Sequence, residues 1–200
     1  MTGVYEARKK SGEIYYRASF TYKNKHISLG SSSDKASCHA MYNEACEITG
    51  NPSEHWINTD NRTASYNEAM TLSLGKYISL INFRDNNIYI KTPIYMCHKY
   101  FLYFLNEHEV LQFSTDDLFY YSSHKIMKRG GHYFVADFGM QVNILNRYGI
   151  KNYAVPGRDY RFENGDTTDF RRENLVILNR YHGVSYEKEK GLYLSKIHVR

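Results

Sequence analysis

The segment GRDYRFENGDTTDFRRENL, residues 157–175, decides how the second half of the chain is expected to fold. Asn164-Gly165 is a turn signal, because both residue types tolerate the positive backbone φ that tight turns require. Asp169, five residues after Asn164, suits the cap position of a short helix. A tight turn followed by a short helix is therefore expected here.

This frame resembles the HNH (ββα-metal) homing endonucleases of phages. Members of that family carry an aspartate or asparagine and a histidine before an Asp-Gly turn. A short helix with the sequence pattern Asp-Asn-Arg-x-Glu-Asn-Leu follows the turn. An ungapped alignment puts Phe162 at the position of the general-base histidine and Arg161 at the position of the metal ligand. The upstream helix start that carries another family histidine aligns with residues 143–147, which contain none.

The replaced residues remove the chemistry that the family uses. Phe162 has no nitrogen that could accept a proton from water, and the guanidinium of Arg161 stays protonated and repels a divalent cation. We therefore expect no catalytic residue, no bound metal and no cofactor. Asn174 stands where the family orients its histidine, and without a histidine to orient we interpret it as structural.

The first fifty residues predict three strands and one helix. Residues 3–8, 14–22 and 26–30 alternate in strand fashion, with turns at Ser11-Gly12 and Asn24-Lys25. Ser33 or Asp34 is expected to cap a helix that ends near Gly50. That helix is expected to pack on the sheet through small and apolar side chains: Ala36, Ala40, Met41 and Ala45, with Cys38 in the core.

This block resembles the AP2 DNA-binding domain, and four landmarks carry the resemblance: Gly3-Val4, the strand segment 16–20, Leu29-Gly30 and Tyr42. The resemblance implies that the sheet lies in the major groove of DNA and contacts it through its outer face. Alternation would put Tyr16 on that face together with Arg8 or Lys10. Three positions differ from the family's usual residues, so no base preference is implied: Ser19, Thr21 and Ser28. The alternative is that this face packs on the rest of the protein.

The middle of the chain predicts a linker and a second domain. Residues 51–65 form the expected linker, and residues 66–181 the expected degenerate HNH-like domain, with an insertion around 89–113. Within it the sequence predicts strands at 72–79 and 88–90, an apolar run over 95–105, a helix capped by residues 114–117 that ends at Ser123, and a KRGG hairpin at 128–131 that leads into a strand.

The last segment, residues 182–200, predicts a partial AP2-like β-hairpin. Gly183-Val184 matches Gly3-Val4, Lys190-Gly191 is a turn, and Tyr193 matches Tyr16. Because a two-stranded ribbon is barely stable alone, we expect it to pair with another sheet or with another chain, and a homodimer is one such arrangement.

Composition favours a basic intracellular protein. The 200 residues include 26 Lys and Arg against 21 Asp and Glu, a net charge of +5. Both ends are basic: residues 1–26 hold six basic and two acidic residues, and residues 145–200 hold eleven and seven. The three cysteines have no Cys-x-x-Cys spacing, which favours a reducing compartment and argues against zinc. The sequence shows no signal peptide and no membrane-spanning run, so we expect the cytoplasm of a bacterial host cell.

These patterns predict an α+β fold: a small three-stranded-sheet-plus-helix module resembling AP2, a degenerate ββα-metal domain and a C-terminal β-ribbon. The residues expected to contact double-stranded DNA are basic, aromatic or hydroxyl-bearing: Arg8, Lys10, Tyr16, Arg17, Thr21, Lys23, Lys25, Arg158, Arg161, Arg171, Arg172, Lys188, Lys190, Tyr193 and Lys196.

Three functions fit this sequence. The first is a non-catalytic DNA-binding protein derived from an HNH/AP2 homing endonuclease, acting as a phage or prophage regulator. The second is a phage protein that binds and inhibits a host defence or transcription protein. The third is an active nuclease that uses other metal ligands, with candidates Asp159, Asp166, Asp169 and His182, although Asp166 and Asp169 also suit turn and cap positions.

Overall fold

The first sheet is antiparallel, with strands β1 (Val4–Arg8), β2 (Ile14–Tyr22) and β3 (Lys25–Ser32) in that order. It belongs to a computed structural model that describes residues 3–137, 139–181 and 183–195. The three predicted strands are confirmed. The second turn lies one residue earlier than predicted, because Lys23 and Asn24 have positive φ angles of 45° and 63°, as a two-residue hairpin turn requires.

Helix α1 (Lys35–Gly50) follows β3 and is confirmed together with its cap. The carboxylate of Asp34 accepts hydrogen bonds from the backbone N–H groups of Ala36 and Ser37, at 3.1 and 2.9 Å. Cys38 is fully buried as predicted, and Ala45 and Ile48 are buried with it. Ala36 is exposed, so its assignment to the packed face was wrong; it lies in the first turn, where the helix begins in solvent.

Gly3 fixes the entry of the chain into the sheet. Its carbonyl oxygen accepts a hydrogen bond of 2.7 Å from the backbone N–H of Ser19. A Cβ atom at this position would lie 1.9 Å from the backbone oxygen of Ser19 and 2.8 Å from the ring of Tyr42. No side chain fits in that space, so the landmark glycine has a steric role.

The predicted linker contains a small hairpin of β4 (Ile57–Asn58) and β5 (Thr63–Ala64). Ile57 and Ala64 pack against the hydrophobic core. Trp56, just before β4, is 43% exposed, and its backbone N–H donates to the hydroxyl of Ser65 at 2.8 Å. This segment is therefore a packed part of the fold.

Helix α2 (Leu74–Asn86) occupies the stretch for which the sequence predicted a strand at 72–79, so that prediction was wrong. The Ser73 hydroxyl caps its first turn by accepting from Lys76 N, and Asn87 ends it in a left-handed conformation. Residues 77–83 are all buried. A helix that is buried on every side has no 3.6-residue polar periodicity, so its alternating residues resembled a strand.

Residues 88–90, also a predicted strand, form no strand in the structure. They lead into a second antiparallel sheet of β6 (Ile94–Met96), β7 (Tyr100–Phe104) and β8 (Val110–Ser114). This sheet coincides with the predicted insertion, and α2 packs against β6 and β7. A 3₁₀ turn then leads into α3 (Leu118–Ser123), which confirms the predicted helix.

The chain divides into two compact units, the first ending at Lys125 and the second beginning at Ile126. The first unit thus extends beyond the boundaries expected at residues 50 and 65. The physical reason is that α1 packs against α2, and the Glu44 carboxylate on α1 accepts hydrogen bonds of 2.8 Å from the backbone N–H groups of Thr71 and Leu72.

The second unit begins with an antiparallel sheet of β9 (Ile126–Arg129), β10 (His132–Asp137) and β11 (Met140–Asn143), in the order β11-β10-β9. The predicted hairpin between β9 and β10 is confirmed, with Gly130 and Gly131 at φ of 52° and 80°. A 3₁₀ helix at Ile144–Tyr148 follows β11, and Asn143 caps it by accepting a hydrogen bond from Leu145 N.

The quoted segment forms β12 (Tyr160–Phe162) and β13 (Leu175–Ile177), which pair in antiparallel register. Gly165 has a positive φ of 77°, so the predicted turn is confirmed. The helix predicted to open at Asp169 was wrong. Residues 169–174 form turns that bring Leu175 opposite Phe162, because the polar side chains in this loop bond to one another and to the loop backbone.

The C-terminal hairpin consists of β14 (Val184–Glu187) and β15 (Leu192–Ser195), and its predicted turn near Lys190-Gly191 is confirmed. Within residues 183–195 neither strand joins a further sheet. Overall the fold is α+β, with small antiparallel sheets and three α-helices among the described residues. No helix in that part of the chain has the length and apolar character needed to cross a membrane.

Candidate nucleic-acid interface

The face of the first sheet that points away from α1 is the candidate interface. Strand pairing and burial assign eight side chains to this outer face of β1–β3: Tyr5, Ala7, Tyr15, Arg17, Thr21, His26, Ser28 and Ser31. The opposite face carries the buried Ala18, Phe20 and Ile27. The outer face has no carboxylate, and Arg17 lies at its centre between Tyr5 of β1 and Ser31 of β3.

Arg17 is held in place by a neighbour on its own strand. Its Nε donates a 3.0 Å hydrogen bond to the hydroxyl of Tyr15, Nη2 donates to the same oxygen, and the guanidinium carbon lies 5.3 Å from the centre of that ring. A hydrogen bond and a cation–π contact to a neutral partner orient the guanidinium without neutralising its charge. Arg17 is therefore a pre-oriented cation on an exposed surface.

Tyr16 and Arg8 do lie on the same side of the sheet, but it is the side of α1, so their predicted placement on the outer face was wrong. Tyr16 packs against the hydrophobic core, because the strand phase is fixed by the buried Ala18. Arg8 is exposed, with Nη2 3.9 Å from Glu6 Oε1. Lys10 lies in the exposed turn after β1.

Lys23 and Lys25 are exposed, and their ammonium groups contact residues that lie outside the first sheet. Lys23 Nζ donates to the backbone oxygen of Arg84 at 2.8 Å and to Asn87 Oδ1 at 2.6 Å. It thereby satisfies the C-terminal end of α2, where carbonyl oxygens lack partners. Lys25 Nζ lies 5.3 Å from the ring centre of Tyr89.

In the second unit, the loop between β12 and β13 is held by its own polar side chains. Asp169 is fully buried and accepts from Arg171 Nη2 at 2.7 Å and from Asn164 Nδ2 at 2.9 Å. Asn174 accepts from Asn164 N at 2.9 Å and donates to the backbone oxygen of Asp169 at 2.8 Å. Asn174 therefore has a structural role, as interpreted from the sequence, and the buried Asp169 holds the loop together through its hydrogen bonds.

Phe162 occupies the position aligned with the family's general base, and its surroundings are aromatic. Its ring lies 5.6 Å from that of Phe170, which is 2% exposed and packs edge-on against Tyr133. Arg161, on the same strand, donates to the exposed carboxylate of Glu163 at 2.8 Å. Phe162 is thus held by aromatic packing in the second unit.

Asp159 is 3% exposed and accepts hydrogen bonds from Arg158 Nη2 at 2.7 Å, Val155 N at 2.8 Å and Asn179 Nδ2 at 3.0 Å. The bond from Arg158 is the main reason that the pKa of the Asp159 carboxyl falls from 3.8 to about 2, and burial opposes it. Asn179 Nδ2 also donates to Val184 O at 2.9 Å. Asp159 therefore anchors the base of the C-terminal hairpin.

Of the other predicted DNA-contact residues in this unit, some contact neighbouring side chains and others are exposed to solvent. Arg171 pairs with Asp169, and the Arg172 guanidinium carbon lies 5.7 Å from the ring centre of Tyr148. On the hairpin, Lys188 is exposed, Lys190 pairs with Glu187 at 3.1 Å, and Tyr193 is 77% exposed. Lys196 and the alternative ligand His182 lie outside the described residues.

Within the described ranges, no group of three or more His, Cys, Asp and Glu side chains comes together to hold a metal ion. Asp166 accepts from the backbone N–H and the hydroxyl of Thr168 at 2.8 and 2.6 Å, as a turn residue does. The acids considered as ligands thus make hydrogen bonds within their own loops.

The sequence prediction missed Tyr5, Tyr15 and His26 on the outer face. A usable signal was present, because if Ala18 and Phe20 face inward, the odd-numbered residues of β2 face outward.

No family model, no curated protein and no solved structure matches this chain.

Proposed function

We propose that this chain is a DNA-binding protein without nuclease activity, and that it contacts duplex DNA through the outer face of β1–β3. The observation that carries the proposal is the exposed, pre-oriented Arg17 on a face that has no carboxylate. The remaining polar groups are hydroxyls and an imidazole, which include Thr21 and His26, with 3.3 Å between Oγ1 and Nδ1.

This chemistry suits DNA because phosphate oxygens accept hydrogen bonds and carry negative charge. An arginine fork can bond a phosphate or the O6 and N7 atoms of guanine, and hydroxyl and imidazole groups can donate to phosphate or to base edges. The major groove also admits a ribbon of β-strands. The resemblance to AP2 domains supports the same docking mode and a role in regulation by occupying an operator.

The absence of nuclease activity is supported by the residues at the expected catalytic positions. Phe162 packs on Phe170, Arg161 pairs with Glu163, and the buried Asp169 is bonded to Arg171. Activation of water for phosphodiester cleavage needs a base or a metal-bound hydroxide, and these groups supply neither.

A mobility-shift experiment on random and AT-rich duplexes at several salt concentrations tests the proposal, with plasmid incubated alongside in magnesium and manganese. We expect binding that weakens as salt rises, and no cleavage. Arg17→Ala should lower affinity by about tenfold or more, since one charged contact to a phosphate or base is removed. The matched control is Lys99→Ala, which removes one exposed charge elsewhere in the first unit.

Two results would contradict this function. Cleavage of the plasmid would show that a catalytic site exists despite Phe162. Failure to bind any duplex at low salt would remove the DNA proposal and leave a protein partner as the second candidate. An exposed groove of about 610 Å³ beside α3 favours that candidate, because Phe119 on this helix is 91% exposed next to Ile88.

A further inference from the structure

One face of the sheet β9–β11 in the second unit presents polar side chains to solvent at one end. Strand pairing places Ile126, Val135 and Val142 on one side of β9–β11, and the first two are buried. The other side, here called the outer face of β9–β11, carries Met127, Arg129, His132, Phe134, Ala136, Gln141 and Asn143. Arg129, His132, Ala136 and Gln141 are exposed, whereas Met127 and Phe134 are half-buried and Asn143 is buried.

Hydrogen-bond donors dominate the exposed part of this face. Arg129 Nη1 donates a 3.0 Å hydrogen bond to Gln141 Oε1 across the sheet. This bond occupies the amide oxygen of Gln141, so its NH₂ group and the remaining N–H groups of the guanidinium are the polar groups that face solvent. His132, beside Arg129 in the register, adds a ring N–H. No Asp or Glu belongs to this face among the described residues of the three strands.

The distribution of charge along the sequence agrees with this chemistry. Residues 1–125 contain 13 Lys and Arg and 13 Asp and Glu, and residues 126–200 contain 13 and 8. The whole net charge of +5 therefore belongs to the segment that forms the second unit. A ligand that is anionic and accepts hydrogen bonds is complementary to both features.

We propose that the outer face of β9–β11 is a second DNA contact, in which Arg129, His132 and Gln141 donate hydrogen bonds to backbone phosphates. Phosphate oxygens are acceptors without donors, which matches a surface that presents N–H groups from arginine, amide and imidazole. This inference rests on the proposed function, but it concerns a different sheet and residues other than the Arg17 surface. It predicts that the affinity of the full chain has two separable contributions.

The test is fluorescence anisotropy of the full-length chain with a labelled duplex over a series of salt concentrations. Arg129→Ala should weaken binding by about tenfold and lower the slope of log affinity against log salt by about 0.9, the value for one phosphate contact. Gln141→Glu should weaken binding as well, because it places a carboxylate on the face while keeping the size of the side chain. The control is Lys151→Ala, an equal loss of charge at an exposed site of the same unit.

One outcome overturns this proposal alone, and another overturns it together with the proposed function. If Arg129→Ala and Gln141→Glu bind as tightly as Lys151→Ala while Arg17→Ala is impaired, the second contact is wrong and the first stands. If the wild-type chain binds no duplex, both are wrong, and binding to polyglutamate instead would identify an acidic protein as the partner of this face. Far-UV circular dichroism of each variant checks that the sheet is intact.

Discussion

At the scale of single residues, Asp159 is a carboxylate that serves the fold. It is nearly completely buried, and three donors surround it: the Arg158 guanidinium, Val155 N and the Asn179 amide. Removing the charge from such a site weakens these hydrogen bonds, which is costly because the Asp159 carboxylate itself lost its water on folding. Its role explains why an acid near the resembled motif need not be a metal ligand.

We expect Asp159→Asn to lower the free energy of unfolding of the second unit by about 2 kcal/mol at pH 7. Since the folded pKa is lowered from 3.8 to about 2, the contribution of Asp159 is fully present above pH 4 and is lost as the pH falls towards 2. Hydrogen exchange of the β12 and β13 amides, recorded for both proteins at pH 7 and pH 3, measures this contribution to the free energy of unfolding. Glu163→Gln, in an exposed pair, is the control and should change stability by less than about 0.5 kcal/mol. Equal effects of the two variants would refute the assignment.

Phe162 leads to a second prediction at this scale. Introducing a histidine with Phe162→His should give no plasmid cleavage in magnesium or manganese, because the neighbouring acids are engaged within their loops. The substitution should also lower stability by roughly 1–3 kcal/mol, since a polar ring replaces packing against Phe170. Cleavage assays and thermal unfolding measure the two effects, with Phe162→Leu as the apolar control. Nicking by the histidine variant would mean that a latent metal site exists.

At the scale of elements, local signals decided which parts of the fold could be predicted. The strands of the first sheet, α1 and the hairpins at Gly130-Gly131 and at Gly191 were predictable, because alternation, an N-cap and turn residues act within a few positions. Helix α2 was not, because burial on all sides removes the polar face that reveals a helix. The loop at 169–174 was not either, since Asp and Asn suit caps and turns equally.

The same reasoning applies to the candidate site. Arg17 and Thr21, predicted as DNA contacts, lie on the outer face, whereas Tyr16, which was expected on that face, lies on the other side of β2. The error arose because tyrosine suits both a core edge and a binding surface, so its type does not fix the phase of the strand. Lys23 shows the complementary problem, because its α2 partner is distant in sequence and no local pattern indicates the contact.

Lys23 provides a prediction for α2 as an element. Lys23→Ala removes the bonds to Arg84 O and Asn87, so it should lower stability by about 1 kcal/mol. Because this side chain is directed to the helix, DNA affinity should stay within about twofold of wild type, in contrast to Arg17→Ala. Thermal unfolding and the mobility shift report the two quantities, with Lys99→Ala as the equal-charge control. A loss of affinity as large as that of Arg17→Ala would place Lys23 in the interface.

At the scale of the whole molecule, the chain consists of two compact units, and each contains buried hydrophobic side chains. Buried residues of the first include Ile78, Leu80 and Phe104, and those of the second include Val135 and Phe170. A segment with its own core is expected to fold alone. The division after Lys125 therefore defines a testable fragment.

We expect residues 1–125, produced alone, to fold cooperatively and to retain the helical circular dichroism of α1 and α2. The fragment has no net charge, so its binding to duplex DNA should be weaker and less salt-dependent than that of the full chain. Urea unfolding measures the stability of the fragment, and fluorescence anisotropy at several salt concentrations measures its affinity for duplex DNA. A fragment that fails to fold would show that the second unit is needed for the first, and a fragment that binds as tightly as the full chain would exclude a contribution of the second unit.

Trp56 is the sole tryptophan of the chain, and it lies beside β4 in the first unit, partly exposed to solvent. Selective excitation of its indole therefore reports on the first unit, while the second unit contributes tyrosine signals alone. Ligand titrations and unfolding curves recorded through this fluorophore describe half of the molecule, and comparison with a probe of the backbone isolates the other half. Trp56 is thus an intrinsic fluorescence probe of the N-terminal unit in the unlabelled protein.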